Sequence, residues 1–343
     1  MGKVYSKGKV HSVSVMGGVQ RLRRQRSRSP RDSPGSPSSQ SFSSNSITST
    51  DSEISFDEDD GFKTLVEQKK AQFAKAGYMF PICEKEIDRL QTLHYMFRYF
   101  WGNNFSSPME GVLAKGNAKI LDIGCGPGIW ILECATTYQS CSFTGIDIAA
   151  LYPSEIKPRN TEFLNVNIFD GLPFEDNTFD FVHQRFMMFA YTIDNWQEKV
   201  LPELLRVLKP GGYLELMEND IVWYEEGPLS RKFREQVLQA MRDLQNIELV
   251  LSSHIPEWLS RFPCLSQHHH DSRKAPFGSW AGGVGKFHLT SNKWGAVHMY
   301  DAVDGVGLNK EEYLDTIEKV MEECEGRKGY LMSHRYWVRK KIE

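Results

Sequence analysis

The chain has 343 residues, 40% of them hydrophobic and 25% charged, with a formal net charge of −3 at pH 7. That balance gives no global basic field for nucleic acid, and the sequence holds no apolar run of about 18 residues, the length a membrane-spanning helix needs. Six cysteines without a C-x-x-C pair argue against a zinc or redox motif, and the first residues lack the apolar core of a secretory signal, so we expect an intracellular protein, cytoplasmic, nuclear or both.

Residues 1–60 read as a disordered tail. Met1-Gly2-Lys3-Val4-Tyr5-Ser6 fits an N-myristoylation pattern at Gly2. One acyl chain binds membranes weakly, and Lys3, Lys7, Lys9 and the arginines beyond supply an electrostatic second signal; a membrane tether is thus the alternative location. A basic cluster runs from Arg21 to Arg31. Between Ser27 and Ser49, 11 of 23 residues are serine, interrupted by Pro30, Pro34 and Pro37. Such a segment buries too little apolar surface to offset its ordering entropy. Ser29, Ser33 and Ser36 each precede proline and are candidate phosphorylation sites. An acidic cluster, Asp51 to Asp60, closes the tail, which leaves a solvated tail, an import signal and a phosphorylated switch as readings.

Order is expected from near Phe62, in a domain spanning 61–343. Ile87, Leu90, His94, Phe97 and Trp101 recur at helical spacing, predicting a helix over 84–101 that Gly102 ends. With its exit to 105 it forms an N-terminal lid, in which Tyr95, Arg98, Tyr99 and Trp101 either cover a ligand or pack into the core. A β/α alternation follows. Lys119–Ile123, Ser142–Ile146, Glu162–Asn167, Phe179–His183 and Tyr213–Glu218 are short apolar runs read as strands. Pro127–Tyr138 and the amphipathic Asn195–Leu208 are read as helices, and Lys209-Pro210-Gly211-Gly212 as a stop and turn. Alternation of this kind implies an α/β domain, a parallel sheet with helices on both faces. The core is placed at 118–220 and a substrate-side region at 221–343. Within that region 275–305 is expected to be loop-rich and Gly329–Lys340 to be a last strand. His268-His269-His270-Asp271 resembles a metal cluster, but successive strand residues face opposite ways, so no metal site is expected.

Chemistry concentrates in Ile120-Leu121-Asp122-Ile123-Gly124-Cys125-Gly126-Pro127-Gly128. An apolar strand enters a glycine turn and a helix follows, leaving backbone N–H groups free for a ligand. Asp147 ends the next strand 19 residues after Gly128, where an acid can hold both ribose hydroxyls. The glycines fall at G-x-G-x-G, against the dinucleotide spacing G-x-G-x-x-G, so a nicotinamide cofactor is disfavoured.

The Asp122-x-Gly124-x-Gly126-x-Gly128 pattern resembles motif I of class I S-adenosylmethionine-dependent methyltransferases. The resemblance continues in order through Gly145–Asp147, Gly171-Leu172-Pro173-Phe174, Asp176–Asp180 and Leu208–Gly212. With Val182-His183-Gln184-Arg185, it is similar to a fungal branch that includes velvet-associated regulators of secondary metabolism. It implies a Rossmann-like seven-stranded, mostly parallel sheet with S-adenosyl-L-methionine as cofactor and an antiparallel last strand. It also implies that Asp122, Gly124, Cys125, Gly126 and Gly128 build the methionine end and Asp147 holds the ribose. Ile148, Asn167 and Ile168 then border the adenine, with Asp170 as rival to Asn167. His183, Gln184, Arg185 and Phe186 follow the fourth strand near the methyl group, with His183 the candidate base or else a residue that only satisfies backbone. Arg98 is a candidate partner for the cofactor carboxylate. The methyl acceptor, small molecule or protein, stays open. So does a regulatory role through protein partners.

Overall fold

The computed structural model describes residues 79–342 apart from 82. The tail, Gly2 and the onset of order near Phe62 lie outside the described residues. Helix α1 (Glu84–Trp101) carries Glu84 and Glu86 in its first turn and Arg98 in its last, matching the helix dipole. The Gly102 N–H closes it on the Arg98 carbonyl. Helix α2 (Glu110–Lys115) leads into the sheet.

Strands β1 (Lys119–Ile123), β2 (Ser142–Asp147), β3 (Thr161–Asn165), β4 (Phe179–Arg185) and β5 (Leu208–Asn219) are parallel. Strand β7 (Tyr330–Lys340) runs antiparallel to both β5 and β6 (Leu265–Pro276), completing the order β3-β2-β1-β4-β5-β7-β6. One face packs Trp130, Ile131 and Ala135 of α3 (Ile129–Thr137) on Phe143 and Phe181. The other packs Trp196, Leu201 and Leu204 on Val182 and Leu214. Both faces are covered, so strand interiors such as Leu121, Val182 and Leu214 are fully buried, each contributing roughly 1.5–3 kcal/mol.

Three expectations change in detail. The helix predicted over Asn195–Leu208 is a run over 193–207, here α4, whose middle, Trp196–Val200, is a π turn. Lys209–Gly212 does not end the chain direction. It sits inside β5 as a register shift, with Leu208 opposite Phe179 and Tyr213 opposite Phe181. The segment expected to be loop-rich contains helix α7 (Gly282–His298). Its glycines disfavour a helix, but Gly285 is required by packing: a Cβ there would meet the Gly278 carbonyl oxygen at 2.4 Å. Helices α5 (Pro228–Gln245), α6 (Ile255–Ser260) and α8 (Lys310–Glu325) complete the region 221–343. No described helix is long and apolar enough to cross a membrane.

Candidate active site

The carboxyl ends of β1, β2 and β4 open on a deep cavity. Its wall begins at Ile123, Gly124, Cys125 and Gly126, passes Asp147, Ile148, Asn167 and Ile168, and continues through Arg185 and Phe186. The turn after β1 exists because its glycines adopt φ values of +64°, +53° and +75° at Gly124, Gly126 and Gly128. A Cβ on Gly128 would stand 2.7 Å from the Phe163 ring. The Cys125 N–H donates to the Ile146 carbonyl at 3.0 Å, tying the turn to β2.

Asp147 anchors the same turn. Its Oδ2 accepts from the Gly126 N–H and its Oδ1 from the Ala149 N–H, both at 2.7 Å. Burial pushes this carboxyl up to about 6, against the pull of those N–H donors. Asn165 Nδ2 donates to the carbonyls of Asp147 and Ile148 and holds the end of β2. Asn167 lines the cavity, and its Oδ1 accepts from the Phe169 N–H at 3.1 Å, capping a 3₁₀ turn over Ile168–Asp170. The second lone pair of that oxygen remains for a ligand. Asp170, its rival, is exposed and outside the cavity wall.

Four expected site residues stand behind the wall instead of in it. Asp122 and His183 are opposite each other on β1 and β4, and Asp122 Oδ1 meets His183 Nδ1 at 2.7 Å. The imidazole stacks on Trp130, centroids 4.0 Å apart, and is fully buried. His183 therefore does not reach the cavity as a base; it braces the sheet beneath the glycine turn. Gln184 is also buried, its Oε1 accepting from Tyr191 Oη at 3.4 Å, and Gly128 caps α3.

The lid differs likewise. Tyr95 and Tyr99 are exposed, and Trp101 is buried with its indole N–H on Ser333 Oγ. Arg98 is paired with Glu133 at 2.6 Å and is not free for a ligand carboxylate. Leu90, Leu93 and Arg89 face the cavity from α1, where Arg89 is bound to both oxygens of Glu86 and to Ser291 Oγ of α7. Arg185, paired through its backbone at the end of β4, has no side-chain hydrogen bond or ion pair among the described residues. Its guanidinium only overlies the Phe186 ring at 5.7 Å, and burial lowers its pKa from the usual arginine value. Below the loop after β4, Glu218 accepts from the Met187 and Met188 N–H groups, and burial pushes it up to about 8.

His268, His269 and His270 do not converge. His269 stacks on Trp337 and His270 on Tyr336, and no cluster of potential metal ligands occurs among the described residues.

Sheet order, reversed β7 and a glycine turn tied to an acid at the end of β2 make a Rossmann-like fold of the methyltransferase type. Residues 120–212 match the family model described as a methyltransferase domain, and the chain is similar to fungal relatives of the secondary-metabolism branch. It is 27% identical over 60% of its length to the secondary metabolism regulator laeA of Coprinopsis cinerea, covering 54% of that protein. It is 34% identical over 42% of its length to the N-methyltransferase verN of Clonostachys rogersoniana, covering 51%. The chain thus spans about half the length of the curated relatives it matches. A solved phosphoethanolamine N-methyltransferase 2 of Haemonchus contortus, in complex with S-adenosyl-L-methionine, aligns over 74% of this chain and 57% of that one, at 16% identity and a TM-score of 0.42.

Proposed function

We propose that the chain is an S-adenosylmethionine-dependent methyltransferase acting on a small-molecule or protein acceptor, in a domain that begins near residue 61. One observation carries this reading: Asp147 and the Gly124–Gly126 backbone are joined at the wall of a single deep cavity. The residues present fit the cofactor. Asp147 offers a carboxylate to ribose hydroxyls. Ile148 and Ile168 offer apolar faces to a purine, and Asn167 an acceptor to its amino group. Arg185, a guanidinium without a counter-ion, fits the amino-acid carboxylate.

When bound, the cofactor supplies an electrophilic methyl carbon. The chain's part is to hold an acceptor in line with it and to exclude water. With His183 bound to Asp122 behind the wall, we assign no general base, and positioning carries the catalysis. Similarity to a secondary metabolism regulator supports a second reading. In it the domain binds the cofactor and acts through protein partners in the cytoplasm or nucleus, with Gly2 acylation giving a membrane tether.

Calorimetric titration with S-adenosylmethionine and with NAD tests the site: binding of the first alone is expected, and binding of NAD alone overturns both readings. Transfer of labelled methyl to components of a host extract then separates them. Turnover supports the enzyme, and tight binding without turnover supports the regulator.

A further inference from the structure

The part of the cavity away from the glycine turn has a wall of its own. Trp223 follows β5, Phe233 and Val237 come from α5, Leu249 follows α5, Met299 follows α7 and Tyr313 lies on α8. All six are buried. Charge is cancelled throughout this wall. Arg89 is held by Glu86, and Arg234 by both oxygens of Glu226 at 2.9 and 2.7 Å. His288 sets its Nδ1 against the Pro276 carbonyl, and burial pushes it down to about 4, so it is neutral near pH 7. Asp147 is the one acid among the described residues lining the cavity, and it belongs to the glycine-turn side.

A chamber walled by buried apolar and aromatic side chains, with its charged groups already paired, fits an uncharged small molecule.

We infer that the methyl acceptor is an uncharged, mainly apolar small molecule that lies against Trp223, Phe233, Val237 and Tyr313. This deepens the methyltransferase reading and rests on it. A protein arginine is disfavoured, because its guanidinium would enter a chamber without a counter-ion, and an uncompensated buried charge costs several kcal/mol or more.

The test uses the full chain saturated with S-adenosylhomocysteine and titrated with the neutral fluorophore N-phenyl-1-naphthylamine. Saturable binding at one site is expected. Val237→Trp, which fills the chamber, is expected to weaken it at least tenfold and to leave S-adenosylhomocysteine affinity within twofold, which also reports a folded protein. Unsaturable fluorophore binding, or insensitivity to Val237→Trp with S-adenosylhomocysteine affinity intact, overturns the inference. So does methyl transfer to a lysine peptide that the fluorophore does not inhibit. Loss of S-adenosylhomocysteine binding with fluorophore binding intact indicts the cofactor reading instead.

Discussion

On the side of β1 and β2 the cavity wall is a turn whose shape is set by glycine dihedrals and by one acid that accepts from two N–H groups. On the side of α5, α7 and α8 it is side chain, gathered from segments as far apart as Trp223 and Tyr313. The first kind of wall keeps its shape because its own N–H groups are tied down within it. The second is set by packing and changes with any of its members. Substitutions should divide accordingly.

The largest effect is expected from Asp147→Ala. It removes both acceptors offered to the ribose and weakens S-adenosylmethionine at least 100-fold by calorimetry, at about 1.5–3 kcal/mol per charged hydrogen bond. Unchanged affinity would remove Asp147 from the site. Arg185→Met comes next, with about a 30-fold loss for S-adenosylhomocysteine and none for 5′-methylthioadenosine, which lacks the amino-acid end. Equal losses for both ligands would show that Arg185 only supports the fold.

A pH series is expected to give a smaller, graded effect. With its carboxyl up to about 6, Asp147 is neutral below that pH in the free protein, and only the anion accepts from both hydroxyls. Affinity should be flat above about pH 7 and fall by up to tenfold per unit below 6. The free protein should show the opposite trend in stability. A native pKa raised from 3.8 to about 6 means that the folded state binds more protons in that window, so this contribution is lost as pH rises through it. A flat binding profile down to pH 5 would contradict the assignment.

His183→Phe should have the smallest effect on binding, under threefold, because the ring stands behind the wall. It should still cost about 3 kcal/mol in urea denaturation, by leaving the Asp122 carboxyl buried without its partner. A large loss of cofactor affinity with stability intact would return His183 to the site.

What could be read in the sequence follows the same division. The bounds of α1 and β1 match their expected ends, because Gly102 stops the one and the glycine turn stops the other. Gly124, Gly126 and Asp147 were identifiable from spacing alone, since local backbone geometry decides them. The role of Arg98 was not. Its neutralisation depends on Glu133 from another helix, and the bare guanidinium of Arg185 depends on what fails to approach it. Helix α7 escaped because its stability is tertiary: Tyr313 Oη donates to the Ala296 carbonyl at 2.8 Å, and His288 bonds back to Pro276. For α5, the spacing of Phe233, Val237 and Met241 was a usable signal for an inward face.

The π turn at Trp196–Val200 bears on how this domain changes length. Trp196 and Leu201 are both buried, yet residues five apart on an α-helix point about 140° away from each other. The extra residue wound into the turn brings them back into phase. Removing one residue from the turn would return the segment to a regular helix with the turns on either side still in phase.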